Sequence, residues 1–164
     1  MMAVRARAMH RLSKTQVHCK PVVVIVGPTA VGKSRIAVEV AKVFETEVIT
    51  ADSRQVYRGM DVGTDKPAPE ERQGIPHRLI DLVDPDESFN AGMYRRQAIE
   101  EIERLYRDCR LPLVVGGTGL YVRTLLKGLC DAPQADPIVR ASLRQEMKDQ
   151  GHDRLYARLV EVDP

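Results

Sequence analysis

The six residues Pro21-Val-Val-Val-Ile-Val26 contain no polar side chain, and a β-branched run of that length predicts a parallel strand covered on both faces. Gly27 to Ser34 follow as a turn, after which Ile36, Ala37, Val40, Ala41 and Phe44 recur at helical spacing. Strand, glycine loop and helix make one βα unit. Glu47-Val-Ile-Thr-Ala51 predicts a second strand ending at Asp52, and Arg78-Leu-Ile-Asp-Leu82 a short third. Between them residues 58 to 76 hold three Gly and three Pro and predict a long surface loop. Ser88 or Asn90 can cap a helix whose apolar positions Met93, Ala98, Ile99, Ile102, Leu105 and Tyr106 run through Cys109, with Arg107 and Arg110 near its negative end. Pro112 stops it. Leu113-Val-Val115 is the fourth strand, ended by Gly116-Gly-Thr-Gly119, and Leu120 to Leu126 resume helical spacing.

The β/α alternation then ends. Asp136-Pro137 starts one helix, Gly151 separates it from another near His152, and no further strand is predicted. The expected organisation is a leader over residues 1–20, an incomplete α/β core over 21–129, and a helical appendage over 130–164.

Charge adds one distinction. The 25 Lys and Arg against 23 Asp and Glu give a net charge of +2, yet Arg5, Arg7, Arg11, Lys14 and Lys20 stand in a leader without any acid, so residues 21–164 are slightly acidic. The body is not a basic glove for nucleic acid. An acid-free, Arg-containing leader is open to three readings: a mitochondrial transit peptide, a basic arm touching phosphates, or a stretch without a role. It lacks the apolar segment of a secretory signal, and no apolar run approaches the ~20 residues of a membrane span. Cys19, Cys109 and Cys130 are odd in number and widely spaced, with none of the pairs that build zinc sites, and read as reduced thiols in a cytoplasmic compartment.

The chemistry is concentrated at the strand ends. Gly27-Pro28-Thr29-Ala30-Val31-Gly32-Lys33-Ser34 fits the phosphate-binding pattern G-x-x-x-x-G-K-[ST] in full, between a strand and a helix as the pattern requires. Its glycines let backbone N–H groups converge on phosphate oxygens at a helix N-terminus, Lys33 adds a positive charge, and the Ser34 hydroxyl is placed for a phosphate-bound Mg²⁺. The loop encodes a di- or triphosphate without saying which. In an open parallel sheet, ligands sit beyond the carboxyl ends of the strands, so Gly27–Ser34, Asp52 with Ser53, and Gly116–Thr118 should share one edge.

A P-loop ATPase normally ends a later strand with an acid for Mg²⁺, whereas Leu113-Val-Val-Gly116 ends in glycine, which argues against a motor or switch. Asp52 is the acid at a strand end. It can accept a proton from a nucleophile, help hold Mg²⁺, or merely cap the next helix. Arg54, Arg58, Arg123 and Arg140 lie near or after the strand ends and can reach an RNA backbone or a diphosphate, or simply face solvent. His77 reads as a structural loop residue, and the sparse aromatics offer no base-stacking platform.

Five segments together, Gly27–Ser34, Ala51–Thr64 (Ala-Asp-Ser-Arg-Gln-Val-Tyr-Arg-Gly-Met-Asp-Val-Gly-Thr), Lys66-Pro67, Pro76–Asp81 (Pro-His-Arg-Leu-Ile-Asp) and Val115–Tyr121 (Val-Gly-Gly-Thr-Gly-Leu-Tyr), resemble the tRNA dimethylallyltransferase (IPP transferase) family over about residues 21–164. The resemblance implies an α/β fold of the P-loop-containing nucleoside triphosphate hydrolase type, a parallel sheet flanked by helices, with the start of a helical, tRNA-binding insertion domain. It implies transfer of a dimethylallyl group from dimethylallyl diphosphate to N6 of the adenosine beside the anticodon of tRNA, with Mg²⁺ as cofactor. By position, Gly27–Ser34 would bind the diphosphate, with Lys33 and a Mg²⁺ on Ser34 stabilising the leaving group. Asp52 would take the N6 proton, with Thr118 beside it in the catalytic set. Asp52, Ser53, Arg54, Gln55, Thr118 and Arg140 match positions that contact tRNA, whose target adenine must leave its stack.

Family members continue well beyond Val162-Asp-Pro164, so the chain reads as an amino-terminal portion, expected to keep diphosphate affinity with little transferase activity alone and to present a raw sheet edge. A monomer is the default. Three other readings stay open: adenylate dimethylallyl transfer, a small-molecule kinase, and a nucleotide-binding module without turnover.

Overall fold

The computed structural model describes residues 20–129 and 136–163. Within the first stretch four strands alternate with four helices: β1 (Val23–Val26), α1 (Lys33–Phe44), β2 (Val48–Thr50), α2 (Pro69–Arg72), β3 (His77–Arg78), α3 (Ala91–Arg107), β4 (Leu113–Gly116) and α4 (Gly119–Lys127). All the strands are parallel, in the order β1-β4-β2-β3. Val23 pairs with Leu113, and Val48 with both Leu113 and His77. The central strands β4 and β2 are buried throughout, as their uninterrupted apolar sequences require.

Helices cover both faces. On one, Ala37 and Ala41 of α1 meet Val48, Leu113 and Val115. On the other, Tyr94, Ala98, Ile102 and Leu105 of α3 and Tyr121 of α4 meet Ile49 and Val114. Small side chains on α1 bring it close to the sheet, and the residues it buries are Ala37, Val38 and Ala41. Ile36 and Phe44, expected on the inner face, are instead about half exposed, because the apolar positions of α1 spread beyond the stripe Ala37, Val38 and Ala41 that meets the sheet.

One further expectation is refined and another is corrected. β1 touches both core clusters through Val24 on one side and Val23 and Ile25 on the other, but it is an edge strand, and Val26 is 59% exposed. Its faces are covered while its outer edge pairs with no described residue. The third strand occupies His77–Arg78 rather than 78–82, since Leu79 (φ 61°) and Asp81 (φ 55°) adopt left-handed backbone conformations that a strand excludes. The chain past that kink still lies beside residues 55–58, with Asp81 N–H donating to Gln55 O at 3.1 Å and Leu82 N–H to Val56 O at 2.7 Å.

α3 begins where Asn90 Oδ1 accepts the N–H groups of Gly92 and Met93, both at 3.0 Å. At the amino end of β2, Glu47 is buried among three arginines: Arg78 Nε at 2.7 Å, an Arg104 terminal nitrogen at 2.6 Å and an Arg110 terminal nitrogen at 3.0 Å. Burial pushes its carboxyl up, but Arg78 and Arg104 outweigh this and hold it below the ordinary carboxylate range. The cluster ties β2, β3 and α3 together at the sheet end opposite the glycine loop.

The described residues divide after Gly128 into two compact units. The second is a helical hairpin of α5 (Pro137–Gln150) and α6 (His152–Val162), joined at Gly151 with φ 83°. Asp136 Oδ1 caps α5 through Ile138 N–H at 2.7 Å. No helix among the described residues is long and apolar enough to cross a membrane. Cys109 is exposed and unbonded; Cys19 and Cys130 lie outside the described residues, as does nearly all of the basic leader.

Candidate active site

Because β1, β4 and β2 are parallel neighbours, their carboxyl ends lie on one edge, and the segments that follow them meet there. After Val26 the chain turns through Gly27, Pro28, Thr29, Ala30 (φ 64°), Val31 and Gly32 (φ 86°) before α1 starts at Lys33. The left-handed conformation at Gly32 is one that a side chain would strain. The first turn of α1 carries no acid, so its N-terminal N–H groups and dipole remain available to an anion. Lys33 Nζ donates to Pro28 O at 2.6 Å, and Ala30 N–H to Asp65 Oδ2 at 3.4 Å.

The segments after β2 and β4 are stitched to each other. Ala51 N–H donates to Val115 O at 2.7 Å, and Thr118 N–H to Ala51 O at 3.2 Å. Thr118 Oγ1 accepts Ser53 N–H at 2.9 Å and donates to Ser53 Oγ at 3.3 Å. Gly116 leaves no room for a side chain, since a Cβ there would lie 2.1 Å from Ala51 O; at Gly117 it would lie 3.4 Å from Gly27 O. The Gly-Gly pair thus fits between the Asp52 turn and the start of the phosphate loop.

Asp52 Oδ1 accepts the N–H groups of Arg54 at 2.8 Å and Gln55 at 3.3 Å. Capping the turn and serving as a reactive acid, alternatives in sequence, are compatible here: one oxygen fixes the turn, and Oδ2 accepts no hydrogen bond from a described residue.

Thr29, Lys33, Ser34, Asp52 and Gln55 line a single pocket, together with Asp65, Pro67, His77 and Gly116. Ser53 and Thr118 adjoin it through the bonds just described, while Arg54 is exposed. Gln55 is buried, and its Nε2 donates to Thr64 O at 3.1 Å and Asp65 O at 2.9 Å, so its amide is directed at the 58–76 loop. Arg58 is engaged with Asp84 at 3.1 Å and Leu82 O at 2.6 Å. Arg140 lies exposed on α5 in the second unit. Among the described residues no three His, Cys, Asp or Glu side chains cluster as a metal site would require.

Sequence reasoning missed Asp65 at this pocket, and quoted Lys66 beside it only as part of a motif, with no role assigned. Lys66, with its side chain 3% exposed, donates to Tyr57 O at 2.8 Å and to Asp61 and Asp81, both at 2.7 Å. Burial alone would lower its pKa, but the two carboxylates raise it above the ordinary lysine value. His77, a loop residue in the sequence reading, starts β3 with Nδ1 2.9 Å from Ile75 O; burial, more than nearby Arg72, holds its pKa down against that hydrogen bond. Behind the Asp52 turn, Tyr121 stacks on Tyr94 with ring centroids 4.4 Å apart, and its hydroxyl pKa is raised by burial first and then by Tyr57 and Asp52.

A family model described as IPP transferase matches residues 55–164. The tRNA dimethylallyltransferase of Syntrophobacter fumaroxidans is 50% identical over 144 residues, 88% of this chain and 42% of the relative. The solved full-length tRNA isopentenylpyrophosphate transferase of Bacillus halodurans aligns with a TM-score of 0.68 at 43% identity, covering 89% of this chain and 48% of that one. A eukaryotic dimethylallyltransferase solved acting on tRNA aligns with a TM-score of 0.75 at 33% identity, over 89% of this chain and 36% of its own. The chain therefore spans less than half the length of these relatives. With the parallel sheet, the glycine loop and the matched motifs in place, the chain belongs to the IPP transferase family.

Proposed function

We propose that this chain carries the diphosphate and acceptor-amine sites of a transferase that moves a dimethylallyl group from dimethylallyl diphosphate to N6 of the adenosine beside the anticodon of tRNA, in the cytoplasm. One observation carries the reading: Lys33 and Ser34 of the phosphate loop and the carboxylate of Asp52 line the same pocket. An amine and an allylic diphosphate can therefore be held at one lip of the sheet.

In that geometry the N6 nitrogen forms a bond to the allylic carbon as the carbon–oxygen bond to diphosphate breaks. The electron pair leaves with the diphosphate, and the N6 proton passes to Asp52 Oδ2 while Oδ1 stays in its turn. Backbone N–H groups of Gly27–Ser34 and the Lys33 ammonium stabilise the charge that grows on the departing oxygen, where preorganised donors contribute most. Thr118 is a positioning residue, holding the Asp52–Gln55 turn through Ser53 N–H.

The donor set suits Mg²⁺, since the Ser34 hydroxyl and the Asp52 and Asp65 carboxylates offer oxygen only. Ser34 would hold the ion with the diphosphate, and the ion would add neutralising charge at the leaving group. Ser53, Arg54 and Arg140 are proposed to meet the tRNA. Gln55 matches a tRNA-contact position as well, but it is buried with its amide, N–H and carbonyl all engaged inside the protein, so its proposed part is to hold the Asp52 turn and the 58–76 loop in place beside the tRNA.

The test is isothermal titration with dimethylallyl diphosphate, followed by transfer of labelled dimethylallyl to an anticodon stem-loop. Lys33→Ala should lose diphosphate binding, whereas Asp52→Asn should keep it and lose the low residual transfer expected of the unaltered chain. Transfer that survives Asp52→Asn refutes the general-base role. Preferential prenylation of AMP, or phosphate transfer from ATP, refutes the tRNA assignment.

A further inference from the structure

The glycine loop already holds an anion of the protein's own. The Ala30 N–H, one of the backbone donors of the 27–34 loop, donates to Asp65 Oδ2 at 3.4 Å, and Asp65 lines the pocket alongside Thr29, Lys33 and Ser34. The carboxylate is held from both sides in sequence. Gln55 Nε2 grips the Asp65 carbonyl at 2.9 Å, and the next residue, Lys66, is buried with three oxygen partners. Asp65 itself adopts φ 54°, a conformation that Asp and Asn tolerate better than most residues. Meanwhile Lys33 Nζ is turned to Pro28 O rather than to this carboxylate.

We infer that Asp65 is a built-in rival of the diphosphate: its carboxylate takes a donor of the phosphate cradle and must be displaced before an anionic ligand is fully seated. The inference rests on the reading of Gly27–Ser34 as a diphosphate site and deepens it, making Asp65 a determinant of affinity there. A pyrophosphate group brings several negative charges to a pocket that Asp52 and Asp65 both line, with Asp65 the one on a loop N–H. Two anions sharing one set of N–H donors repel at contact distance, and solvent and salt only partly screen that repulsion. The same contact serves departure, because the carboxylate returns to the Ala30 N–H as product diphosphate leaves.

The probe is inorganic pyrophosphate, titrated calorimetrically into the full chain in metal-free buffer with chelator, and again with Mg²⁺. Asp65→Asn keeps the shape and tolerates the positive φ while removing the charge; Asp65→Gly removes the side chain at a φ that glycine adopts freely. Circular dichroism melts confirm that each variant folds. Both variants should bind metal-free pyrophosphate about tenfold more tightly than the unaltered chain, as expected for one partly screened charge removed from the mouth. Metal-free affinity that is unchanged or weaker in both variants overturns the inference while leaving the diphosphate site standing, provided Lys33→Ala abolishes binding. No binding by any of these proteins, even with Mg²⁺, overturns the diphosphate site and the inference together.

Discussion

Gly116→Ala probes the joint on which the site depends. The added Cβ would fall 2.1 Å from Ala51 O, 2.4 Å from Ala51 C and 2.8 Å from Ala51 Cα, all main-chain atoms without a rotamer to escape through. Ordinary contact begins near 3.5 Å, so β4 and the segment after β2 must separate by about 1 Å or more. Forcing a methyl into a packed site costs about 1–3 kcal/mol. The separation also strains two hydrogen bonds, Ala51 N–H to Val115 O and Thr118 N–H to Ala51 O, each worth about 0.5–1.5 kcal/mol. The total is about 2–6 kcal/mol, a large share of the ~5–15 kcal/mol by which domains are stable. Gly117→Ala is the internal control, because its Cβ meets only Gly27 O at 3.4 Å. Urea denaturation should show a sharply lowered midpoint for Gly116→Ala and a change below about 1 kcal/mol for Gly117→Ala. Equal midpoints for the two variants would refute the argument that backbone proximity makes position 116 a glycine.

Two further substitutions test the core. Glu47→Gln removes the carboxylate that three arginines share and should cost about 2–4 kcal/mol at neutral pH, less than a fully buried pair because the arginines are partly exposed. Since the folded pKa of Glu47 lies below its ordinary 4.5, its contribution is present above that value and fades as pH falls through the folded value, so the gap between the two proteins in pH-dependent denaturation should narrow on the acid side. A gap that widens in acid contradicts the sign. Tyr94→Phe deletes a buried hydroxyl that has no hydrogen-bond partner among the described residues. It should leave thermal stability unchanged or raise it by up to about 1–2 kcal/mol, and a clear loss would mean that the hydroxyl is in fact satisfied.

What the sequence disclosed was local. The phosphate loop was legible because its pattern is contiguous, and three of the four strands because apolar, β-branched-rich runs between turns are short-range signals. The meeting of Asp52 with the loop followed from strand polarity alone. Less legible were features set by distant partners. Glu47 reads as a strand residue, and its arginines lie 31, 57 and 63 positions away. Asp65 sits in a segment that composition marks only as a loop, and its approach to Ala30 spans 35 residues. Tyr94 was passed over for its neighbour Met93, because both fit a helical stripe and only the stacking on Tyr121 decides which points inward. Leu79 and Asp81 concealed the end of β3, since neither is the glycine that usually marks a left-handed turn.

The pairing of Val23 with Leu113 has a consequence for how the protein is made. The glycine loop leaves the ribosome attached to a strand whose only described neighbour is about 90 residues downstream, an interval of about 5–20 s at ordinary elongation rates. Until then the hydrogen-bonding edge of β1 that pairs with β4 is open, although α1 can already cover one of its faces. Chaperone access between those two points should therefore affect how much chain reaches the folded state.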